Sequence, residues 1–363
     1  MFDDAYAGKR VLVTGHTGFK GSWLTAWLLG LGAEVAGFSL DIPTQPSNFE
    51  VLGLENRIRH ITGDIRDLDG LRAAFAAFKP EVVFHLAAQA LVRRSYAEPA
   101  VTFQTNAMGT LNILESLRVT PSVQAAVLIT SDKCYRNDEW VFGYRETDAL
   151  GGDDPYSASK GCAEIIAKSY MKSFFKNGPR CATTRAGNVI GGGDWAEDRI
   201  VPDCARAWVK GEAVNIRSPW ATRPWQHVLE PLSGYLWLGA RLLSDPEGLD
   251  QEPFNFGPAA DVNHNVGEVA AALARHWPGF TTEIEAEACV QKKECTLLKL
   301  CCDKALAHLS WKAALDFEDT IKFTAEWYKT LSKALASDMF VYTAGQIDRY
   351  VAQARAKGLA WTR

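Results

Sequence analysis

Lys9-Arg10-Val11-Leu12-Val13-Thr14-Gly15-His16-Thr17-Gly18-Phe19-Lys20-Gly21 opens the first regular structure of the chain, and Ser22 to Leu31 continues it with a helical pattern. Val11 to Val13 form a short apolar run that ends in glycines, which predicts a buried parallel strand followed by a tight turn. Such a turn points backbone N–H groups outward. Together with the N-terminus of the following helix, those donors suit the pyrophosphate of a dinucleotide. Gly15 serves the turn, Gly18 the approach of the phosphate and Gly21 the packing of helix on strand. His16, Thr17, Phe19 and Lys20 complete the same cradle.

Outward from this turn the alternation of strand and helix repeats. Glu34 to Phe38 reads as a second strand, and the residues just past it would meet the adenosine ribose, where an acid ordinarily accepts from both hydroxyls. Ser39 occupies that place, and Asp41 is the nearest acid, either a ribose ligand or a loop acid before Pro43. No Arg lies between residues 39 and 48 to hold a 2′-phosphate, so NAD is expected rather than NADP. Ser39 also predicts looser cofactor retention, by about 1.5–3 kcal/mol for a lost charged hydrogen bond. A third strand at Arg59 to Thr62 ends in Gly63-Asp64-Ile65, with a helix over Leu68 to Phe78 behind it. Asp64 either accepts from the adenine amino group, with Ile65 against the ring, or caps a turn. Val82 to Ala88 is a fourth strand whose end, Leu86-Ala87-Ala88, lets a cofactor lie close, and His85 within it reads as a core histidine rather than a base. Asn106 to Leu117 has helical periodicity, and Gln124 to Thr130 is a fifth apolar strand. This alternation implies an α/β fold with a doubly wound parallel sheet of the Rossmann type, its ligands bound beyond the carboxyl ends of the strands.

The fifth strand runs out into Ser131-Asp132-Lys133-Cys134-Tyr135. Asp154 then suits a helix N-cap and Pro155 the first helical position. Tyr156 and Lys160 stand four residues apart and share one face of that helix. An ammonium beside a phenol favours phenolate, which predicts a Tyr156 of lowered pKa able to act as a general base. After Asn177-Gly178-Pro179 and a strand over Arg180 to Thr184, the alternation stops, and Gly191-Gly192-Gly193-Asp194 and Ser218 to Gln226 read as irregular. The dinucleotide-binding domain is therefore placed at 1–185. A smaller α/β substrate domain is placed at 186–363, with some segments returning to the first. Arg199 and Arg223, in loops of the second part, suit a diphosphate. Leu315 to Leu335 reads as an amphipathic closing helix.

Bulk properties narrow the class further. The chain has 363 residues, 39 basic and 43 acidic, for a formal charge of −4 without a basic block, which argues against nucleic acid as a partner. No apolar run approaches the roughly 20 residues of a membrane span, and acids follow Met1 where a secretory leader carries base, so a cytoplasmic protein is expected. Eight cysteines are scattered without a Cys-x-x-Cys pair, which predicts free thiols and no metal site.

The Gly15 to Gly21 turn, Asp64-Ile65, His85-Leu86-Ala87-Ala88-Gln89, Ser131, Tyr156-x-x-x-Lys160 and Arg185-Ala186-Gly187-Asn188 together resemble the extended short-chain dehydrogenase/reductase superfamily along nearly the whole chain. Within it the sequence looks like the nucleotide-sugar 4,6-dehydratases of the CDP-sugar group. Lys20 and Trp23 around the third glycine, Ser131 to Tyr135, and Asn188 to Trp195 with Arg199 after it carry that narrower likeness. Relatives acting on dTDP-glucose or GDP-mannose carry Asp-Glu where this chain has Asp132-Lys133. Departures are Ser39, and Pro224 and Glu230, where relatives often carry Asp.

The resemblance implies dehydration of CDP-glucose through NAD, in a homodimer built on the helices at Asn106 to Leu117 and Tyr156 to Phe175. It assigns Tyr156 to the 4-hydroxyl proton, Ser131 to orienting that hydroxyl and Lys160 to the cofactor ribose. Asp132 and Lys133 are then the acid and base of the elimination, with Lys133 taken as the base and the opposite division left open. Asn188, Arg199 and Arg223 are the implied diphosphate ligands. Two other readings remain: a nucleotide-sugar 4-epimerase, which needs no base at carbon 5, and a silent cofactor sensor, which needs no Ser131, Tyr156 or Lys160.

Overall fold

Val11, Leu12 and Val13 are completely buried in β1 (Arg10–Thr14), which lies between two parallel neighbours, β2 (Glu34–Ser39) and β4 (Val82–His85). Val11 and Val13 face one core and Leu12 the other, as the two-residue period of a strand covered on both sides requires. The computed structural model describes residues 1–216, 218–259, 261–284, 297–333 and 338–363. Its main sheet has seven parallel strands in the order β7-β6-β5-β4-β1-β2-β3, with β3 at Arg59–Thr62, β5 at Ala125–Ile129, β6 at Arg180–Arg185 and β7 at Pro253–Asn255. The order reverses between β1 and β4, where a doubly wound sheet opens its binding crevice.

Helices cover both faces. One core gathers α1 (Phe19–Gly30) with side chains of α5 (Leu229–Ser244), α6 (Phe317–Lys333) and α7 (Met339–Ala356). The other gathers α2 (Leu68–Phe78), α3 (Gly109–Arg118) and α4 (Pro155–Phe174). Three two-stranded pairs sit outside the main sheet: Val189–Ile190 with Gln226–His227, Thr222–Arg223 with His264–Asn265, and Val214–Ile216 with Thr282–Ile284. Among the described residues no helix is long and apolar enough to cross a membrane. Six cysteines are free thiols, and Cys289 and Cys295 lie outside the described residues.

Three elements differ from their sequence reading. β4 stops at His85 rather than Ala88, because the Ala87 N–H leaves the strand ladder and donates to the Thr14 hydroxyl at 3.2 Å. The helix expected from Asn106 begins at Pro99, and a wider π-type turn over Gln104–Met108 interrupts it. The extra residue in that turn breaks the 3.6-residue pattern and aims Asn106 inward, where its amide bonds the Gln89 backbone and Ser159. The run expected over Leu315 to Leu335 is α6, whose last two expected residues lie outside the described ones, and it does not close the chain. α7 follows, capped by Asp338, and stacks Tyr350 on Trp361 at 5.4 Å.

Glu230, where the resemblance leads one to expect Asp, has a structural use for its longer arm. Its carboxylate accepts from the backbone N–H of Ala314 and Leu315 and from the Tyr350 hydroxyl, joining α5 to α7 and to the segment before α6. Burial pushes this carboxyl up to about 7, although those bonds and the Lys357 charge oppose the rise.

Candidate active site

The end of β5 and the start of α4 build the site. Past Ile129 the chain reaches Ser131, whose hydroxyl caps a single turn by accepting from the Lys133 N–H and donates to Asp132 Oδ1 at 2.9 Å. Asp154 caps α4 by accepting from the Ser157 N–H, and Pro155 holds the first helical position. That start fixes Tyr156 and Lys160, both buried, one turn apart. Asp132 is buried against the backbone after β6: a Cβ on Gly187 would fall 1.8 Å from Asp132 Oδ2, so only glycine leaves room for the carboxylate.

The electrostatics differ from the expected lowering of the phenol by Lys160. Burial pushes the Tyr156 phenol up to about 12, with the nearby Ser131 hydroxyl and the charge of Arg199 acting downward and Asp132 acting upward. Burial dominates because it removes water from the phenolate, and the cation acting on the ring is Arg199, from the far half of the chain. Lys160 is itself pulled down to about 8 by burial, against the charges of Cys134 and Glu164. Lys20 is likewise pulled down to about 8, by burial and then by Arg199 and Lys160, with Asp132 and Asp194 opposing. The structure thus brings Lys20, Asp132, Tyr156, Lys160 and Arg199 within electrostatic reach of one another. Arg199 is held by Asp194 at 3.0 Å.

Beneath this cluster lies a buried ion pair that the sequence reading missed. Glu164, one turn beyond Lys160, meets Arg185 at 2.8 Å and also accepts from the hydroxyls of Thr130 and Thr183. Arg185 donates in turn to the Tyr135 hydroxyl at 2.7 Å. Burial alone would push the Glu164 carboxyl up, but Arg185 and these hydrogen bonds overcome it and hold the group below the usual carboxylate range.

The glycine turn has the close backbone approach and open helix start that a pyrophosphate cradle needs. Gly15 has φ +74°, and a Cβ there would lie 2.7 Å from the Ala87 nitrogen; one on Gly21 would lie 2.1 Å from the Gly15 carbonyl. α1 starts after Gly18 with no side-chain cap, which leaves its first N–H groups for a ligand. Phe19 packs against Gly191, and the Trp23 indole donates to the Gly192 carbonyl at 2.8 Å, tying the turn to the glycine loop of the second half.

The place read as the ribose site is organised by histidines. Ser39 shares a 2.8 Å hydrogen bond with His16, whose other ring nitrogen meets His60 at 2.7 Å, and the ring fits only because residue 37 is glycine. Thr17 donates to the backbone carbonyl of Asp41, whose side chain is exposed. Both Asp64 oxygens accept from Arg66, and Ile65 turns into the core against Gly109. Leu86, Ala87 and Ala88 are half-buried, with Leu86 and Ala87 lying beside Gly15. His85 is a buried core residue between Thr14 and Thr110.

The implied diphosphate ligands come from three places in the second half of the chain. Arg199 reaches the Tyr156 region, whereas Asn188 takes a left-handed φ of 51° and accepts from the Gln226 N–H through its carbonyl. Arg223 lies in the short strand paired with His264–Asn265, and Pro224 after it lines a narrow cleft shared with Asp132, Gln226 and Lys299. Gln226 and Lys299 carry no motif signal and join the cleft wall only in the folded chain.

The family described as GDP-mannose 4,6 dehydratase matches residues 12–324. A CDP-glucose 4,6-dehydratase of Salmonella typhimurium is 45% identical over 352 residues, covering 95% of this chain and 97% of that protein. Among solved structures, Thermus thermophilus UDP-glucose 4-epimerase in complex with NAD is 27% identical, with a TM-score of 0.73 over 88% of this chain and 99% of that one. The dTDP-glucose 4,6-dehydratase of Streptomyces venezuelae, at 23% identity, has a TM-score of 0.72 over 88% of this chain and 97% of that one. With the match to the family spanning most of the fold and a relative alike from end to end, the chain belongs to the GDP-mannose 4,6-dehydratase family of the extended short-chain dehydrogenases/reductases.

Proposed function

We propose that this chain dehydrates CDP-D-glucose to CDP-4-keto-6-deoxy-D-glucose with NAD as its cofactor. The observation that carries the reading is the set of groups at the end of β5. Asp132 lines the cleft and is bonded to Ser131, Tyr156 lies within electrostatic reach of both, and Lys133 follows directly. An epimerase would have no task for the Asp132-Lys133 pair, and the Salmonella relative bears the name of the same reaction.

The glycine cradle, with Lys160 toward the ribose, fits NAD, and the Thermus epimerase of like fold is described with NAD bound. Bound there, NAD supplies a hydride acceptor for carbon 4 and the hydride donor for carbon 6. Tyr156 takes the 4-hydroxyl proton, while Ser131 orients that hydroxyl and Arg199 stabilises the phenolate. The ketone acidifies the carbon 5 proton, which Lys133 removes, and Asp132 protonates the departing 6-hydroxyl. Arg199, Arg223 and Asn188 hold the diphosphate. Residues 1–185 form the cofactor domain and 186–363 mainly the sugar-nucleotide domain.

A homodimer in the cytoplasm completes the proposal. Ile165 at 58% exposure, Phe174 at 54% and Met108 at 48% leave apolar surface on and before α3 and α4 that a second copy would cover. Sedimentation at the monomer mass would count against the dimer, and recovery in a membrane fraction against the location.

Mass spectrometry of CDP-glucose incubated with the protein and NAD tests the reaction: a product lighter by one water is expected, and unchanged mass favours the epimerase. Lys133→Met is expected to lower formation of the 6-deoxy product by about 10²-fold or more while oxidation at carbon 4 persists. A near-parental rate would exclude Lys133 from any essential role.

A further inference from the structure

Gln226 is buried to 2% exposure in a short strand beside Val189–Ile190, on the wall of the cleft that Asp132 lines. Its side-chain nitrogen donates to two backbone carbonyls, Gly187 at 3.0 Å and Phe256 at 3.1 Å. Turning the amide over would set its oxygen against both carbonyls, so these bonds fix which end is which. The oxygen, Oε1, is buried and finds no hydrogen-bond partner among the described residues. Buried acceptors are ordinarily satisfied, and one held in place by two donor bonds on a cleft wall is built to receive a donor from a ligand.

Gly187 places that ligand atom. Its carbonyl holds the Gln226 amide, and its missing Cβ gives room to Asp132 Oδ2. One glycine therefore touches both the amide that carries the orphan oxygen and the carboxyl that the proposed reaction assigns to the 6-hydroxyl. Resting on the function proposed above, we infer that Gln226 orients the leaving group: Oε1 accepts the hydrogen of the sugar's 6-hydroxyl and turns that oxygen's lone pair toward Asp132. In the elimination the C6–O6 bond breaks and its electron pair stays on O6. O6 keeps the hydrogen held by Gln226, takes a second proton from Asp132 and departs as water. Carbon 5 gives its proton to Lys133, and the C5–H electron pair becomes the C5=C6 double bond.

The test crosses Gln226→Met with the 6-deoxy analogue of CDP-glucose, which can be oxidised at carbon 4 but has no 6-hydroxyl to lose. The protein loaded with NAD is assayed for dehydration of CDP-glucose and for NAD reduction on the analogue. Gln226→Met is expected to slow dehydration roughly tenfold or more, the size of a lost oriented hydrogen bond, and to leave NAD reduction on the analogue within about threefold of parental. A structural role would slow both reactions together, and either that result or no change in dehydration overturns the proposal. A parental protein inactive on both compounds overturns the function it rests on, and the proposal with it.

Discussion

Tyr156→Phe is expected to lower kcat on CDP-glucose by about 10²–10⁴-fold, the range a positioned general base contributes. The buried ring stays, so the fold should survive; only the phenol hydroxyl is removed. The pH dependence identifies the group. Burial holds the phenol at about 12, so near neutral pH it carries its proton, and the active phenolate becomes more abundant as pH rises. The parental rate should therefore climb with pH on the alkaline side, and the Phe variant should lose that limb as well as the rate. Arg199 acts on the same phenol, so Arg199→Ala should move the limb to higher pH. A Phe variant within tenfold of parental that keeps the alkaline limb would remove Tyr156 from the chemistry.

The strands that carry this site are legible because a buried parallel strand is a continuous apolar run, and β1, β2 and β5 each end at a turn the sequence marks. The start of α4 is legible for a similar local reason: Asp154 and Pro155 are a cap and a first-turn residue whatever surrounds them. β7 is not legible. Pro253-Phe254-Asn255 is three residues long and opens on a proline, and it forms a strand only because β6 offers it an edge. Long-range chemistry is hidden in the same way. Arg199 reaches Tyr156 from an irregular loop, and His16, Ser39 and His60 meet from three separate segments through a gap that Gly37 leaves. Neither arrangement has a spacing to read, since each depends on where the sheet places distant segments. Burial was the other unread quantity: it reversed the sign expected for the Tyr156 phenol, because sequence shows which charges exist but not how much water is removed.

Glu164→Gln is expected to cost about 3–5 kcal/mol of folding stability, the usual result of breaking a buried ion pair from one side. Both side chains of the Glu164–Arg185 pair are only 3% exposed, so Arg185 would keep its charge with neither its partner nor water to balance it. The carboxylate also receives the Thr130 and Thr183 hydroxyls, so an amide there would take a charged acceptor from at least one of its donors. Replacing both members of the pair with apolar residues of similar size should therefore cost less than Glu164→Gln alone, because no charge would be left unbalanced. The pH dependence has a definite sign. The folded-state pKa of Glu164 lies below its ordinary value, so its contribution is fully present above that ordinary value of 4.5 and is lost as pH falls through the folded pKa. Denaturant midpoints measured from neutral to acid pH should fall steeply for the parental chain below about pH 4.5 and more gently for the Gln variant. A loss under about 1 kcal/mol at neutral pH would mean that the pair is reached by water and that the floor of the site is less dry than its burial indicates. The expected loss bears on function because Glu164 lies one turn from Lys160, and Arg185 lies two residues before the glycine that seats Asp132. The pair locks α4, which carries Tyr156 and Lys160, to β6, whose following glycine at 187 seats Asp132.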